Sequence, residues 1–372
     1  MMQESDLPGL SAQVLWASFG LAVIFGAVAQ RTRFCTMGAV ADIMSMGDWT
    51  RMRQWLLAMA VAMLGFNAMV ALGWVEAGNS VYAGSRVLWL SNLFGGLLFG
   101  VGMVLASGCG SKTLVRIGGG SMKSLVVFFV LAIAAYATLR GITAVARVNS
   151  VDQVMLELPV GQDLPTLLAH SLGGAAHIWA LGIGGLLALA LLVFVLARPE
   201  GRSFEMWLAG LGIGGVVVAV WWVSGQLGYV PEHPVTLEST FLATNSRRME
   251  SLTFVAPLAY TVDWLILYSD ASKVLTVGIV TSVGVVVGAA VVALATGSFR
   301  WEGFRGSEDT ANHIAGGALM GVGGVTAMGC TIGQGLTGLS TLAIGSFIAL
   351  AGILVGGWLG VRWQTRRLES QL

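Results

Sequence analysis

The chain has 372 residues, of which 56% are hydrophobic and 10% charged, with a formal net charge of +1 and a mean hydropathy of +0.80. Soluble domains carry about 25% charged residues, so the composition excludes a soluble enzyme. Glycine supplies 52 residues and proline only 7, with no low-complexity run, which excludes collagen-like or disordered usage and places glycine inside packed membrane helices.

A transmembrane helix needs about 20 mostly apolar residues. In chain order the charge-free stretches that can supply one are Leu7–Gln30, Gln54–Val75, Val87–Ser111, Ser124–Leu139, Leu164–Ala197, Met206–Pro231, Val274–Phe299 and Thr310–Val361, the last long enough for two. The first follows Glu4 and Asp6 with no basic residue and no small-x-small cleavage site, and is read as a mature span rather than a signal peptide. Leu252–Tyr268 carries Asp263 and is either a further span or an interfacial helix. Basic residues in short loops mark the cytoplasmic side. Four arginines between Arg31 and Arg53, and Arg362, Arg366 and Arg367 in the tail, place both segments inside and the N-terminus outside. That requires an odd number of spans, nine if Leu252–Tyr268 does not cross.

The halves share a repeat. Gly95–Cys109 reads GGLLFGVGMVLASGC and Gly316–Cys330 reads GGALMGVGGVTAMGC, with ten of fifteen positions identical and no gap. Residues 1–200 form an N-terminal half with the Cys35 and Cys109 loops, and 201–372 a C-terminal half with the Cys330 loop, within one membrane domain. Nine spans give the repeats opposite directions, as in transporters whose site lies between inverted halves near the midplane. After each repeat the sequence turns small and polar, at Gly110-Ser111-Lys112-Thr113 and Thr331-Ile332-Gly333-Gln334-Gly335. Irregular backbone at membrane depth survives where it is buried in protein or lines a cavity. The expected fold is therefore an all-α multi-pass membrane protein of about nine helices plus broken or re-entrant helices.

Cys35, Cys109 and Cys330 are an odd number with no disulfide or metal-ligand spacing, so no metal and no cofactor is expected. A free cysteine is ordinarily a small buried hydrophobe; two of three at equivalent breaks point to function instead. A helix restarting after a glycine-rich break turns unpaired N–H groups and a positive dipole end into the cavity, which favours an oxyanion. The backbone around Gly108, Gly110, Gly329 and Gly333, with Thr113, Thr331 and Gln334, forms the expected path. Lys112 and Arg116 add charge along it, and Arg31 and Arg33 at its mouth. Lys112 needs a partner in the membrane, either a permeating anion or a distant acid such as Asp42 or Asp263. A neutral thiol is a weak donor with a soft sulfur, suited to an anion that exposes sulfur. Gly108–Thr113 departs from a phosphate-binding loop at Ala106 and Ser111, so no nucleotide site and no nucleic-acid partner is expected. His170 and His177, seven apart, are read as core or interface residues of one apolar helix, and His313 as a helix-entry residue at the cytoplasmic surface.

These three motifs, Arg31-Thr-Arg-Phe-Cys35 followed by Asp42, Gly95–Arg116 around Cys109, and Gly316–Gly335 around Cys330, resemble the YeeE/YedE family of sulfur-compound transporters. The resemblance implies a bacterial inner-membrane transporter, not an enzyme, with an hourglass-shaped path. Along it thiosulfate passes over Cys35, Cys109 and Cys330 to the cytoplasm and, in some systems, on to a small cytoplasmic sulfur-carrier protein. Lipid surrounds such a protein. Lys112 departs from the glycine usual at its position in that family. A membrane sulfurtransferase subunit relaying persulfide sulfur, a selenium-compound transporter of the same family, and a structural subunit of a larger complex are the alternatives.

Overall fold

A computed structural model describes residues 6–370, so Glu4 lies outside the described residues. The helices are α1 (Leu7–Arg31), α2 (Thr36–Met46), α3 (Thr50–Ala71), α4 (Trp89–Leu105), α5 (Gly110–Gly118), α6 (Met122–Arg140), α7 (Ile142–Val148), α8 (Leu164–Leu172), α9 (Ala176–Leu196), α10 (Phe204–Trp222), α11 (Ala256–Ile266), α12 (Val277–Ala295), α13 (Ser307–Thr326) and α14 (Ile344–Glu369). Two antiparallel two-residue ladders, β1 (Arg86–Val87) with β2 (Leu156–Glu157) and β3 (Tyr229–Val230) with β4 (Thr240–Phe241), tie connecting segments together.

Eight helical segments among the described residues are long and apolar enough to cross a membrane. α13, with 20 residues, is not among these eight, since Glu308, Asp309, Asn312 and His313 in its first half lower its apolar character, and it is packed between α4 and α6. α11 has 11 residues, about 16 Å at 1.5 Å per residue, too short to cross. The stretch Leu164–Ala197 is two helices rather than one, because Gly173 and Gly174 both take positive φ, 82° and 91°. His170 and His177 therefore sit on α8 and α9 separately, and both are exposed, which corrects their reading as core residues of one helix. His313 is also corrected: it is buried, with its ring against Phe304 and Nδ1 hydrogen-bonded to the Asp309 carbonyl.

The centre of the molecule is the antiparallel seam of α4 and α13, and glycine makes it possible. A Cβ at Gly95 would lie 2.7 Å from the Gly323 carbonyl oxygen, and one at Gly316 would lie 2.7 Å from that of Gly102. These contacts exchange under the repeat: Gly95 corresponds to Gly316, and Gly102 to Gly323. The flanks exchange as well. Gly100 packs on Ile353 and Gly357 of α14, while its counterpart Gly321 packs on Leu131 and Ala135 of α6. α1 lies against α12 as α10 lies against α3. Antiparallel partners related in this way place a pseudo-two-fold axis across the helices, the arrangement of inverted repeats.

Candidate functional site

Three helices end in the same local structure, and each time a cysteine follows. Arg33, Ser107 and Met328 adopt left-handed backbone at φ 54°, 57° and 57°. The next N–H reaches back five residues, from Phe34 to the Ala29 carbonyl at 3.1 Å, from Gly108 to Met103 at 2.8 Å and from Gly329 to Gly324 at 2.8 Å. This closes the helix C-terminus in the manner of a Schellman turn. The following residue is Cys35, Cys109 or Cys330. Cys35 then caps α2, accepting the Gly38 N–H on Sγ at 3.4 Å, and Cys330 accepts the Gly333 N–H at 3.3 Å. Cys109 caps α5 in extended backbone and its Sγ meets Ser111 Oγ at 3.4 Å. All three thiols are free and buried. Cys35 lines one cavity with Ser107 and Lys112, and Gly110, next to Cys109, packs on Phe254 while Gly333, three residues after Cys330, packs on the adjacent Thr253.

Two cavities approach this region from opposite faces. A large one of about 1090 Å³ opens among Arg31, Arg33, Arg51, Arg116, Arg300 and Arg305 and reaches Cys35, Ser107 and Lys112; its side of the molecule is called the basic face below. A smaller one of about 290 Å³ opens among Tyr82, Arg147, Glu250 and Thr253 and reaches Met328 and Gly329. Ser107 and Met328 are counterparts in the repeat, so each cavity ends at one of two equivalent turns. Cys109 and Cys330, 1% and 0% exposed, lie between.

The remaining expected residues surround the turns. Gly110 admits the Phe254 carbonyl, which a side chain there would strike, and Gly333 admits the Thr253 hydroxyl. Thr113 Oγ1 donates to the Cys109 carbonyl at 3.1 Å. The Gln334 amide donates to the Ala327 carbonyl at 2.5 Å and lies against Gly329. Thr331 Oγ1 is buried without a partner. Arg116 holds the Ser107 carbonyl at 3.2 Å and Glu302 at 3.4 Å. Burial opposes ionisation of Glu302, but the Lys123 hydrogen bond and the Arg116 charge hold its carboxyl below the usual range. Arg31 lies 4.0 Å from Glu205. The Gly333 N–H is engaged by Cys330, so it is not among the free donors. Asp42 and Asp263 do not meet Lys112: Asp42 grips Arg51 at 2.6 and 3.0 Å, and Asp263 pairs with Lys273. Among the described residues no cluster of His, Cys, Asp and Glu could hold a metal ion.

Sequence reasoning passed over three residues. Arg51 lies against Gly38, where any side chain would collide with its guanidinium. The Tyr82 hydroxyl donates to the Gly333 carbonyl at 2.7 Å. Val255 occupies the cap position before the 11-residue α11 as Cys35 does before the 11-residue α2, and Phe254-Val255 matches Phe34-Cys35. Val255 is the fourth corner of the two-fold arrangement, without a thiol. The shared Phe, one residue ahead of a short helix, was the available signal.

Residues 31–359 match the family described as Sulphur transport. The chain is similar to the thiosulfate transporter TsuA of Escherichia coli, 25% identical over 90% of both chains. It is likewise similar to the thiosulfate transporter TsuA of Spirochaeta thermophila, 27% identical over 93% of this chain and 97% of that one. A probable transporter, YedE of Escherichia coli, is 32% identical over 26% of this chain and 23% of its own length. With paired cavities, buried thiols at repeated helix breaks and this match over most of its length, the chain belongs to the sulphur-transport family of multi-pass membrane transporters.

Proposed function

We propose that the protein imports thiosulfate or a closely related sulfur-containing anion across the bacterial inner membrane, through the region lined by Cys330, Cys109 and Cys35. The observation that carries this reading is the pair of cavities ending on opposite sides at equivalent turns, with the thiols between them. The density of arginine makes the basic face cytoplasmic, with the N-terminus periplasmic. An anion enters by the smaller cavity, where Thr253 and Tyr82 border the turn before Cys330, and leaves past Cys35, where a small sulfur-carrier protein collects it. Neutral thiols act as successive weak donors to soft sulfur, and weak, multiple sites let an ion leave as readily as it enters. Thr331 and the Gln334 amide border the second turn, while Gly108, Gly110 and Thr113 border the first, with Lys112 and Arg116 supplying charge beside it. Both halves line each cavity, with the Ser107 turn of the N-terminal half at the end of one and the Met328 turn of the C-terminal half at the end of the other.

Radiolabelled thiosulfate uptake into cells and proteoliposomes tests the reading. Cys109→Ala and Cys330→Ala should each cut the initial rate at least tenfold at equal protein in the membrane. Unchanged uptake in both would remove the thiol path, and a stable sulfur adduct on a cysteine peptide after thiosulfate exposure would favour a persulfide relay instead.

A further inference from the structure

The two cavities end at equivalent turns and differ in charge. The basic-face cavity is lined by seven Lys and Arg side chains against three carboxylates, and each carboxylate is engaged. Asp42 grips Arg51, Glu302 meets Arg116 and Lys123, and Asp48 accepts the Thr50 hydroxyl and N–H. The opposite cavity has one cation, Arg147, which pairs with Asp152 at 3.5 Å, and one carboxylate, Glu250.

Lys112 stands apart within the basic-face cavity. It rises from the first turn of α5, its stem lies over Gly108, and it lines the cavity together with Cys35, Arg51 and Arg116. It makes no ion pair or hydrogen bond among the described residues. A half-buried ammonium sharing one cavity with two guanidinium groups, with no carboxylate of its own, is uncompensated, and an ion of opposite charge relieves it. These cations recognise charge and oxygen. They have no means of distinguishing sulfate from thiosulfate, which share charge and tetrahedral shape and differ at one terminal atom.

Resting on the transport reading above, we propose that Lys112, Arg51 and Arg116 form a resting site for tetrahedral dianions, sulfate included, at the floor of the basic-face cavity. Discrimination by charge happens here, and discrimination by sulfur happens at the thiols beyond it. Sulfate arriving from the basic face fills the site and blocks passage, so the transporter is inhibited from the side to which it delivers.

Right-side-out membrane vesicles loaded with sulfate, and vesicles bathed in it, are compared for thiosulfate entry. Sulfate inside should slow entry severalfold, and the same concentration outside should leave it unchanged. Lys112→Gly should raise the inhibitory sulfate concentration at least tenfold, whereas Lys112→Arg should keep inhibition. Equal block from both faces, or Lys112→Gly as sensitive as the wild type, overturns the site. Radiolabelled sulfate binding to the purified wild-type and Lys112→Gly proteins, each checked for a cooperative thermal transition, reads the site without transport. Binding that Lys112→Gly weakens tenfold supports it, and binding equal in the two overturns it. Absence of thiosulfate entry in the wild type would defeat the transport reading alone, since sulfate binding would still report on the Lys112 site.

Discussion

Replacing Gly95 by alanine tests the α4/α13 seam most directly. The added methyl would meet the Gly323 carbonyl oxygen at 2.7 Å and the Thr326 carbonyl carbon at 2.8 Å, all backbone. No side chain can rotate away, so the helices must part, and overpacking of this kind costs about 1–3 kcal/mol. Gly316→Ala meets the Ala106 nitrogen at 2.5 Å and the Gly102 oxygen at 2.7 Å and should cost about the same, because the two positions exchange under the repeat. Both substitutions push one seam apart. The double variant should therefore lose less than the sum, by about 0.5 kcal/mol or more. Gly215→Ala is the control: nothing lies within 4 Å of its added Cβ, and alanine favours the helix by up to about 1 kcal/mol. Unfolding free energies in detergent micelles give all four values. If Gly95→Ala is no less stable than Gly215→Ala, or if Gly95→Ala and Gly316→Ala differ by more than the whole expected cost, the reciprocal seam is wrong.

Asp42→Asn removes the charge from a carboxylate that holds Arg51 at 2.6 and 3.0 Å; it should cost about 1.5–3 kcal/mol, and adding Arg51→Gln should cost little more in a double-mutant unfolding series. Asp48 has its carboxyl held below the usual carboxylate range by the Thr50 hydroxyl and N–H. Its contribution is present above the unfolded-state value of about 3.9 and fades as pH falls through the lower folded value, so the stability gap between wild type and Asp48→Asn should be open at neutral pH and close in acid. Tyr82→Phe leaves the Gly333 carbonyl without its 2.7 Å donor and should cost about 1–3 kcal/mol while slowing thiosulfate uptake at equal protein level. Wild-type rates in that variant would remove Tyr82 from the path.

The spans were legible because burial in lipid demands unbroken apolar length, and the repeat was legible because close helix packing fixes glycine spacing. The turns at Cys109 and Cys330 followed from the small polar residues after them. The third turn was hidden: Arg33 takes the left-handed conformation itself, and Phe34 occupies the place of Gly108 and Gly329, so no glycine marked it. The division between α8 and α9 was written in Gly173-Gly174 but lost among many glycines that do not break helices. Arg51 on Asp42, Tyr82 on Gly333 and the burial of His313 depend on which segments meet in space, and the last two join residues far apart or enclosed by several elements. Val255 was marked only by the Phe254 ahead of it, because a valine at the symmetric position carries no chemical signal of its own.

The two-fold backbone and the unequal side chains solve different parts of one problem. Equivalent turns end both cavities, but Cys35 lines the basic-face one and no thiol lines the other, whereas a fully symmetric chain would hold an anion equally on either side. Here the corner on one side is Cys35 with Arg51 and Lys112 near it, and on the other Val255 with Thr253 and Tyr82. At an effective dielectric of 20, a unit cation about 4 Å from a unit anion contributes about 4 kcal/mol before desolvation, so several bare cations would trap a dianion rather than pass it. Asp42 against Arg51 and Glu302 against Arg116 prevent this. On the proposed reading they cancel part of the cavity's charge, leaving Lys112 as the uncompensated cation that would hold an anion reversibly.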